Sequence, residues 1–218
     1  MVLDPLPIKA RVKPPFVVGS AAHTGKRAFD LVVASLVTLL LLSWLIPLIS
    51  LAIVLTSRGP ALFMQTRSGQ HGRHFTCFKF RTMHWSDGND PFRQASRNDT
   101  RVTPIGRLLR RTNIDELPQF LNVLLGHMSI VGPRPHPIQL DAEFWFSMPD
   151  YPSRYQVRPG ITGLAQARGC RGETSSPLKM KHRLLYDRFY IRKASVLLDF
   201  SICLRTLVTM LTGNTDAF

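Results

Sequence analysis

The sequence predicts an α+β protein, mainly α, with an N-terminal re-entrant (monotopic) membrane helix-hairpin broken at Pro47, a small β-hairpin and interfacial amphipathic helices. Three observations carry this expectation. The chain has no charged residue from Leu31 to Ser57. Partial alternation of apolar and polar residues brackets a Ser68-Gly69-Gln70-His71-Gly72 turn, the pattern of two strands joined by a tight connection. Two basic or mixed segments, Lys179–Lys193 and Val196–Leu211, close the chain with helical patterning.

Residues 1–25 carry Pro5, Pro7, Pro14 and Pro15 and read as a flexible tail. The uncharged run that follows would reach about 40 Å as one helix, against a hydrocarbon core of about 30 Å. It is too long for the apolar part of a cleaved signal. Pro47 removes a backbone donor and favours a kink, and Ser43, one turn earlier, can serve part of the freed backbone. Either half alone is too short to span. Lys26 and Arg27 flank one end, Arg58 and Arg67 the other, so the distribution of positive charge favours no crossing. A hairpin returning to its own side satisfies both flanks; a kinked single span needs one basic flank outside. The expected organisation is a tail over 1–25, the re-entrant helix over 26–58 and a globular domain over 59–213.

Within that domain Ala61–Arg67 and Arg73–Met83 form the expected hairpin, and the polar stretch Asp87–Asn98 a loop. Pro104–Arg111 reads as a short basic helix and Pro118–Gly126 as an apolar one, with proline in its first turn and glycine at its end. Asp115 and Glu116 precede the second helix. A helix N-terminus favours anions, so Asp115 there would stay ionised and nucleophilic; plain N-capping is the other reading. Arginines recur beside rigid or glycine-rich backbone, at Arg134, Arg158 and Arg171, where bidentate phosphate contact and solvated loop arginine both fit. Val196–Leu211 holds Asp199 and Arg205, which disfavours a span. This helix and Lys179–Lys193 read either as helices on a lipid surface or as core helices.

Composition narrows the class of partner. With 28 Lys+Arg against 14 Asp+Glu the chain carries +14 and a pI near 10.7, which calls for an anionic partner: nucleic acid, an acidic lipid surface or a phosphorylated substrate. At 44% hydrophobic residues a wholly disordered chain is excluded. Cys77, Cys170 and Cys203 are too few and too scattered for a disulfide scaffold or a CxxC site. His71 and His74 have no further ligand type beside them at metal spacing.

Taken together, the motifs resemble the bacterial sugar transferase family, the small monotopic polyprenyl-phosphate phosphoglycosyl transferases. They run from Lys26-Arg27-x-x-Asp30 through Gly59-Pro60, Phe63-x-Gln65-x-Arg67-x-Gly69 and Lys79-Phe80-Arg81-Thr82-Met83. Asp99-x-Arg101-x-Thr103, Asp115-Glu116-Leu117-Pro118-Gln119, Met128-Ser129-x-Val131-Gly132-Pro133-Arg134-Pro135 and Arg158-Pro159-Gly160-Ile161-Thr162-Gly163 continue them in order. The Arg171-Gly172-Glu173-Thr174 stretch looks like the subgroup that begins exopolysaccharide units with a hexose 1-phosphate. One departure is the break in the apolar run, where Ile46 rather than serine precedes Pro47.

The resemblance implies a UDP-hexose:undecaprenyl-phosphate hexose-1-phosphate transferase at the cytoplasmic face of the bacterial inner membrane. UDP-glucose or UDP-galactose and undecaprenyl phosphate would be its substrates, Mg²⁺ its cofactor, and a homodimer an allowed assembly. Asp115 would be the nucleophile and metal ligand, and Glu116 would orient the site or accept a proton. Arg110, Arg134 and Arg158, with Arg81, would meet nucleotide and phosphate; Asp187 matches an acidic position of unassigned role. A membrane-tethered nucleic-acid-binding protein lacks any recognition pattern in this sequence. A non-catalytic scaffold for polysaccharide assembly is the remaining alternative.

Overall fold

The computed structural model describes residues 20–86, 92–96, 99–170, 172 and 177–212. Most of the expected tail, residues 87–91 and 97–98 of the expected loop, and Arg171, Glu173 and Thr174 lie outside them. Helix α1 (Ser20–Val37), a π-helical turn (Thr38–Leu42) and helix α2 (Ser43–Thr56) follow one another without interruption. Among the described residues this is the one helix long and apolar enough to cross a membrane. It begins earlier than Lys26, and Pro47 lies inside α2 rather than at a break. The irregularity sits one turn upstream. A proline ring crowds the carbonyl four residues before it, which here belongs to Ser43, the residue that follows the π turn. Ser43 N–H reaches back to the Thr38 carbonyl, and its hydroxyl donates to the Leu39 carbonyl at 2.8 Å.

The hairpin forms as the alternation requires. Strand β1 (Leu62–Ser68) pairs antiparallel with β2 (His74–Phe80), Gln65 opposite Cys77, around a 3₁₀ turn at Gln70–Gly72. Helix α3 (Pro104–Arg111) is capped by the Thr103 hydroxyl, which accepts from Gly106 N–H. A Cβ at Gly106 would lie 2.0 Å from the Thr82 carbonyl oxygen, so α3 can sit this close to the end of β2 only with glycine there.

Asp115 caps no helix. It sits in a separate 3₁₀ turn, Ile114–Glu116, and the helix that follows, α4 (Gln119–Leu124), begins after Pro118 without a side-chain cap. Asn122, fully buried on α4, accepts from Phe78 N–H at 3.0 Å and donates to the Thr76 carbonyl at 2.7 Å. That exchange serves the open edge of β2 and fixes the turn before α4 beside the strand.

The turns that carry Arg134 and Arg158 adjoin a second sheet that local pattern did not reveal. Strands β3 (Ser129–Val131) and β4 (Gly160–Thr162) pair in parallel, with helix α5 (Ile138–Trp145) and a 3₁₀ segment at Tyr151–Gln156 between them. A Cβ at Gly160 would meet Gly132 N at 2.0 Å, so these glycines permit backbone contact rather than display arginine. Helix α6 (Leu164–Ala167) leads to α7 (Pro177–Lys193) and α8 (Val196–Leu211). On one face α7 is a core helix: Met180, Leu184, Tyr190 and Ile191 are buried along with Arg183 and Asp187. The charges spaced among its apolar residues had hidden that face. The largest core cluster joins Phe75 and Cys77 of β2 with Val123, Met128, Val131, Tyr190 and Ile202.

Both ends of the long helix are sewn into this one domain. Asp30 is buried and accepts from Ser129 Oγ at 2.9 Å and Ile130 N–H at 3.0 Å. Lys26 pairs with buried Asp199 of α8 at 2.6 Å, and Arg27 donates to the Val123 carbonyl at the end of α4. At the other end Ile49 and Ile53 pack on Phe80 and Leu109. There Arg81 donates to the Ser57, Arg58, Gly59 and Pro60 carbonyls at 2.9, 2.5, 3.2 and 2.6 Å. Between the two anchorages Leu36, Leu39, Leu40, Trp44 and Leu48 are all more than half exposed. Because lysine cannot reproduce the guanidinium fork at four carbonyls, Arg81→Lys should lower the thermal midpoint by roughly 4–8 °C. An unchanged melting curve would show that the exit of the helix is held by its apolar contacts alone.

Candidate active site

The 3₁₀ turn at Ile114–Glu116 follows Asn113, whose backbone is left-handed at φ 56°, and the turn delivers two consecutive carboxylates to different surroundings. Glu116 points toward the hairpin. Lys79 of β2 donates to its Oε1 at 2.6 Å, and Arg134, from the loop after β3, donates with both Nη groups, one at 2.9 Å to Oε2 and the other in a shorter contact to Oε1. This bidentate pair and the ammonium hold Glu116 well below the usual carboxylate range, against the opposing effect of burial. A carboxylate so engaged does not take up a proton readily, so the orienting role expected for Glu116 fits this geometry and the proton-accepting one does not.

Asp115 stands beside this clamp with no hydrogen bond among the described residues. Burial, and then the charge of Glu116, push it up to about 6; Lys79, Arg110 and Arg134 act in the opposite direction. Arg110 of α3 donates through Nε to Thr82 Oγ1 at 2.8 Å, and its Nη groups have no partner among the described residues. One half-buried, unbonded carboxylate thus faces three cations from three parts of the chain.

The remaining expected site residues go elsewhere. Arg81 is spent on the carbonyls where the long helix exits, and Arg158 donates to the Gly126 carbonyl at 3.0 Å, beyond the far end of α4. Their place in the motifs did not reveal these contacts because the carbonyls they serve are remote in sequence. Asp187 is buried in an ion pair with Arg154 at 2.8 Å, and Arg154 also donates to the Arg134 carbonyl at 2.7 Å. Arg67 donates to the Pro135 carbonyl. These residues hold the loop that presents Arg134. Lys79, quoted only as part of a motif, is the side chain of this cluster that sequence reasoning left without a role; its signal was a lone lysine between Phe78 and Phe80.

Among the described residues no group of three His, Cys, Asp or Glu is placed to hold a metal. Asp115 offers one carboxylate, Glu116 being taken by cations. That donor set fits Mg²⁺ only as an ion sharing oxygens of a bound diphosphate, the usual manner of Mg²⁺ at phosphate sites.

The family profile described as bacterial sugar transferase matches residues 21–213. The chain belongs to the bacterial sugar transferase family. A UDP-glucose:undecaprenyl-phosphate glucose-1-phosphate transferase of Caulobacter vibrioides is 50% identical over 194 residues, 89% of this chain and 72% of that protein. The exopolysaccharide production protein PSS of Rhizobium leguminosarum bv. phaseoli is 46% identical over 192 residues, 86% of this chain and 95% of the relative. An Escherichia coli protein with the same name as the Caulobacter one is 47% identical over 182 residues, 84% of this chain but 39% of its own length. The matched region therefore spans nearly all of the Rhizobium relative and about two fifths of the Escherichia coli one.

The raised position of Asp115 has a consequence for stability. In the folded protein its proton is held more tightly than in the unfolded chain, where the ordinary value is 3.8. The stabilisation this supplies is complete below about pH 4 and is lost as pH rises through about 6. Asp115→Asn should therefore melt later than the parent at pH 8, by about 1–2 kcal/mol after allowance for solvent screening, and show no advantage at pH 4. Equal melting at both pH values would mean that Asp115 is well solvated.

Proposed function

We propose that this sugar transferase moves a hexose 1-phosphate from a UDP-sugar to undecaprenyl phosphate and releases UMP. The names of its relatives favour glucose as the hexose over galactose. The observation that carries the reading is the contrast between two adjacent carboxylates: Glu116 is bonded to every nearby cation that can reach it, whereas Asp115 is unbonded among them.

In the proposed reaction an Asp115 oxygen attacks the phosphorus that bears the sugar. A bond from carboxylate oxygen to phosphorus forms, and the bond from that phosphorus to the UMP oxygen breaks with the electron pair leaving on UMP. A phosphate oxygen of undecaprenyl phosphate then attacks the same phosphorus and returns Asp115 to its carboxylate. Both partners of each step are anionic, so the barrier includes their repulsion. Arg134 and Lys79, locked by Glu116, and Arg110, oriented by Thr82, supply fixed positive charge to offset it. Mg²⁺, when bound, would be held by Asp115 and diphosphate oxygens and would neutralise charge on the leaving side.

The long helix is proposed to enter and leave the bilayer on the cytoplasmic face of the inner membrane. Its two ends are anchored to one domain through Asp30 and Lys26 on one side and Arg81 and Ile53 on the other, which supports this topology. An active site held level with the head groups would meet the acceptor phosphate without extracting its lipid.

Asp115→Asn should reduce UMP release by roughly a thousandfold or more, and the parent incubated with UDP-glucose alone should carry one hexose phosphate on the peptide containing Asp115. Undiminished turnover, or an adduct on another residue, would overturn the assignment. For the parent, kcat should rise with pH through about 6 as Asp115 ionises. Epitope tags at both chain ends should be reached by protease from the same face of membrane vesicles; opposite faces would mean that the helix spans.

A further inference from the structure

Away from Asp115, helices α6, α7 and α8 border an open groove of about 420 Å³, within the range of about 300–1,000 Å³ typical of small-molecule sites. Its walls are Leu164, Leu185, Phe189 and Leu198, and Arg168 and Arg205 stand among the residues that line it. Both arginines are exposed, and neither guanidinium has an ion pair or hydrogen bond among the described residues. None of these residues belongs to the Asp115 cluster, which is built from β2, α3, the 3₁₀ turn and the loop after β3.

We propose that the groove binds an acidic phospholipid, with an acyl chain along the apolar walls and the phosphate between Arg168 and Arg205. The surroundings select this occupant. A small free anion would neutralise the arginines and leave the apolar walls wet, and a neutral lipid would fill the walls and leave two cations unanswered. A second copy of a chain carrying +14 would bring further positive charge to the same rim. The groove is also continuous with a surface of matching chemistry. Leu197, Phe200 and Leu204 of α8 are 80%, 59% and 54% exposed and form a stripe beside the face that carries Leu198, Ser201 and Arg205. A helix with an apolar stripe flanked by arginine rests in the boundary between head groups and acyl chains, where long basic side chains reach up to phosphate. The groove thus offers a lateral seat for one lipid of that layer, which would fix the height and rotation of the domain against the bilayer.

The test uses the full chain in neutral detergent, mixed with phosphatidylglycerol or phosphatidylcholine and weighed intact by native mass spectrometry. The parent should retain one phosphatidylglycerol at a concentration roughly thirtyfold below that needed for phosphatidylcholine, the preference expected from two surface arginines. The double variant R168Q/R205Q should lose that preference. Ser201→Trp, which keeps both charges but fills the trough, should weaken retention of either lipid. Equal retention of the two lipids by the parent, or an undiminished preference in the double variant, would overturn the proposal. So would displacement of phosphatidylglycerol by one equivalent of undecaprenyl phosphate, which would make the groove an acceptor site, or its loss on dimerisation, which would make it a contact between copies.

Discussion

The clamp on Glu116 is the constraint around which the candidate site is arranged. Two carboxylates side by side in a half-buried turn repel each other, and the cost is reduced only if one of them is tightly paired. Lys79 and Arg134 pair Glu116, and in doing so they are themselves fixed at the edge of the site. The neighbouring Asp115 then sits among positive charges without being bonded to them, and burial with the charge of Glu116 raises its pKa. Adjacency in sequence, with opposite surroundings in space, leaves one carboxylate paired and the other unbonded among the described residues.

This clamp depends on layers behind it. Lys79 is placed by the pairing of β2, which is secured from the other side by Asn122 on α4. Arg134 is placed by its loop, whose carbonyls are held by Arg154 and Arg67, with Asp187 compensating Arg154. That buried charge network is costly to assemble, because each ion gives up water. It is tolerated here because the guanidinium groups are given carbonyl and carboxylate partners in fork geometry. The same economy appears at the two ends of the long apolar helix, where Arg81 and Arg27 serve carbonyls and Lys26 serves a buried carboxylate. Several of the chain's basic side chains thus have partners within the fold itself.

Much of the architecture could be read from local pattern. The hairpin follows from alternation around Ser68–Gly72, α3 from the short basic run Pro104–Arg111, and the long apolar helix from the absence of charge. Local pattern failed where backbone meets distant backbone. The parallel pair β3 and β4 is only three residues per strand, its members lie far apart in the chain, and its glycines read as turns because their close contact is invisible in sequence. Likewise Arg158 shares its residue type and glycine-proline setting with Arg134, yet only Arg134 reaches a carboxylate of the site. An arginine's partner is set by what the fold brings within about 3 Å of its fork, a distance that no spacing rule encodes.

The sequence by itself determined the family, the long apolar helix with basic residues at both ends, and the pair Asp115-Glu116 only in outline, as two acids in a row. Tertiary structure decided which acid is bonded and which is open, which arginines face it, and that both ends of the anchor belong to one domain. The physical reason is that residue type and period fix what a side chain can do, whereas burial and neighbouring charge, which fix what it does, come from other elements of the fold, as with Lys79 and Arg134 on Glu116.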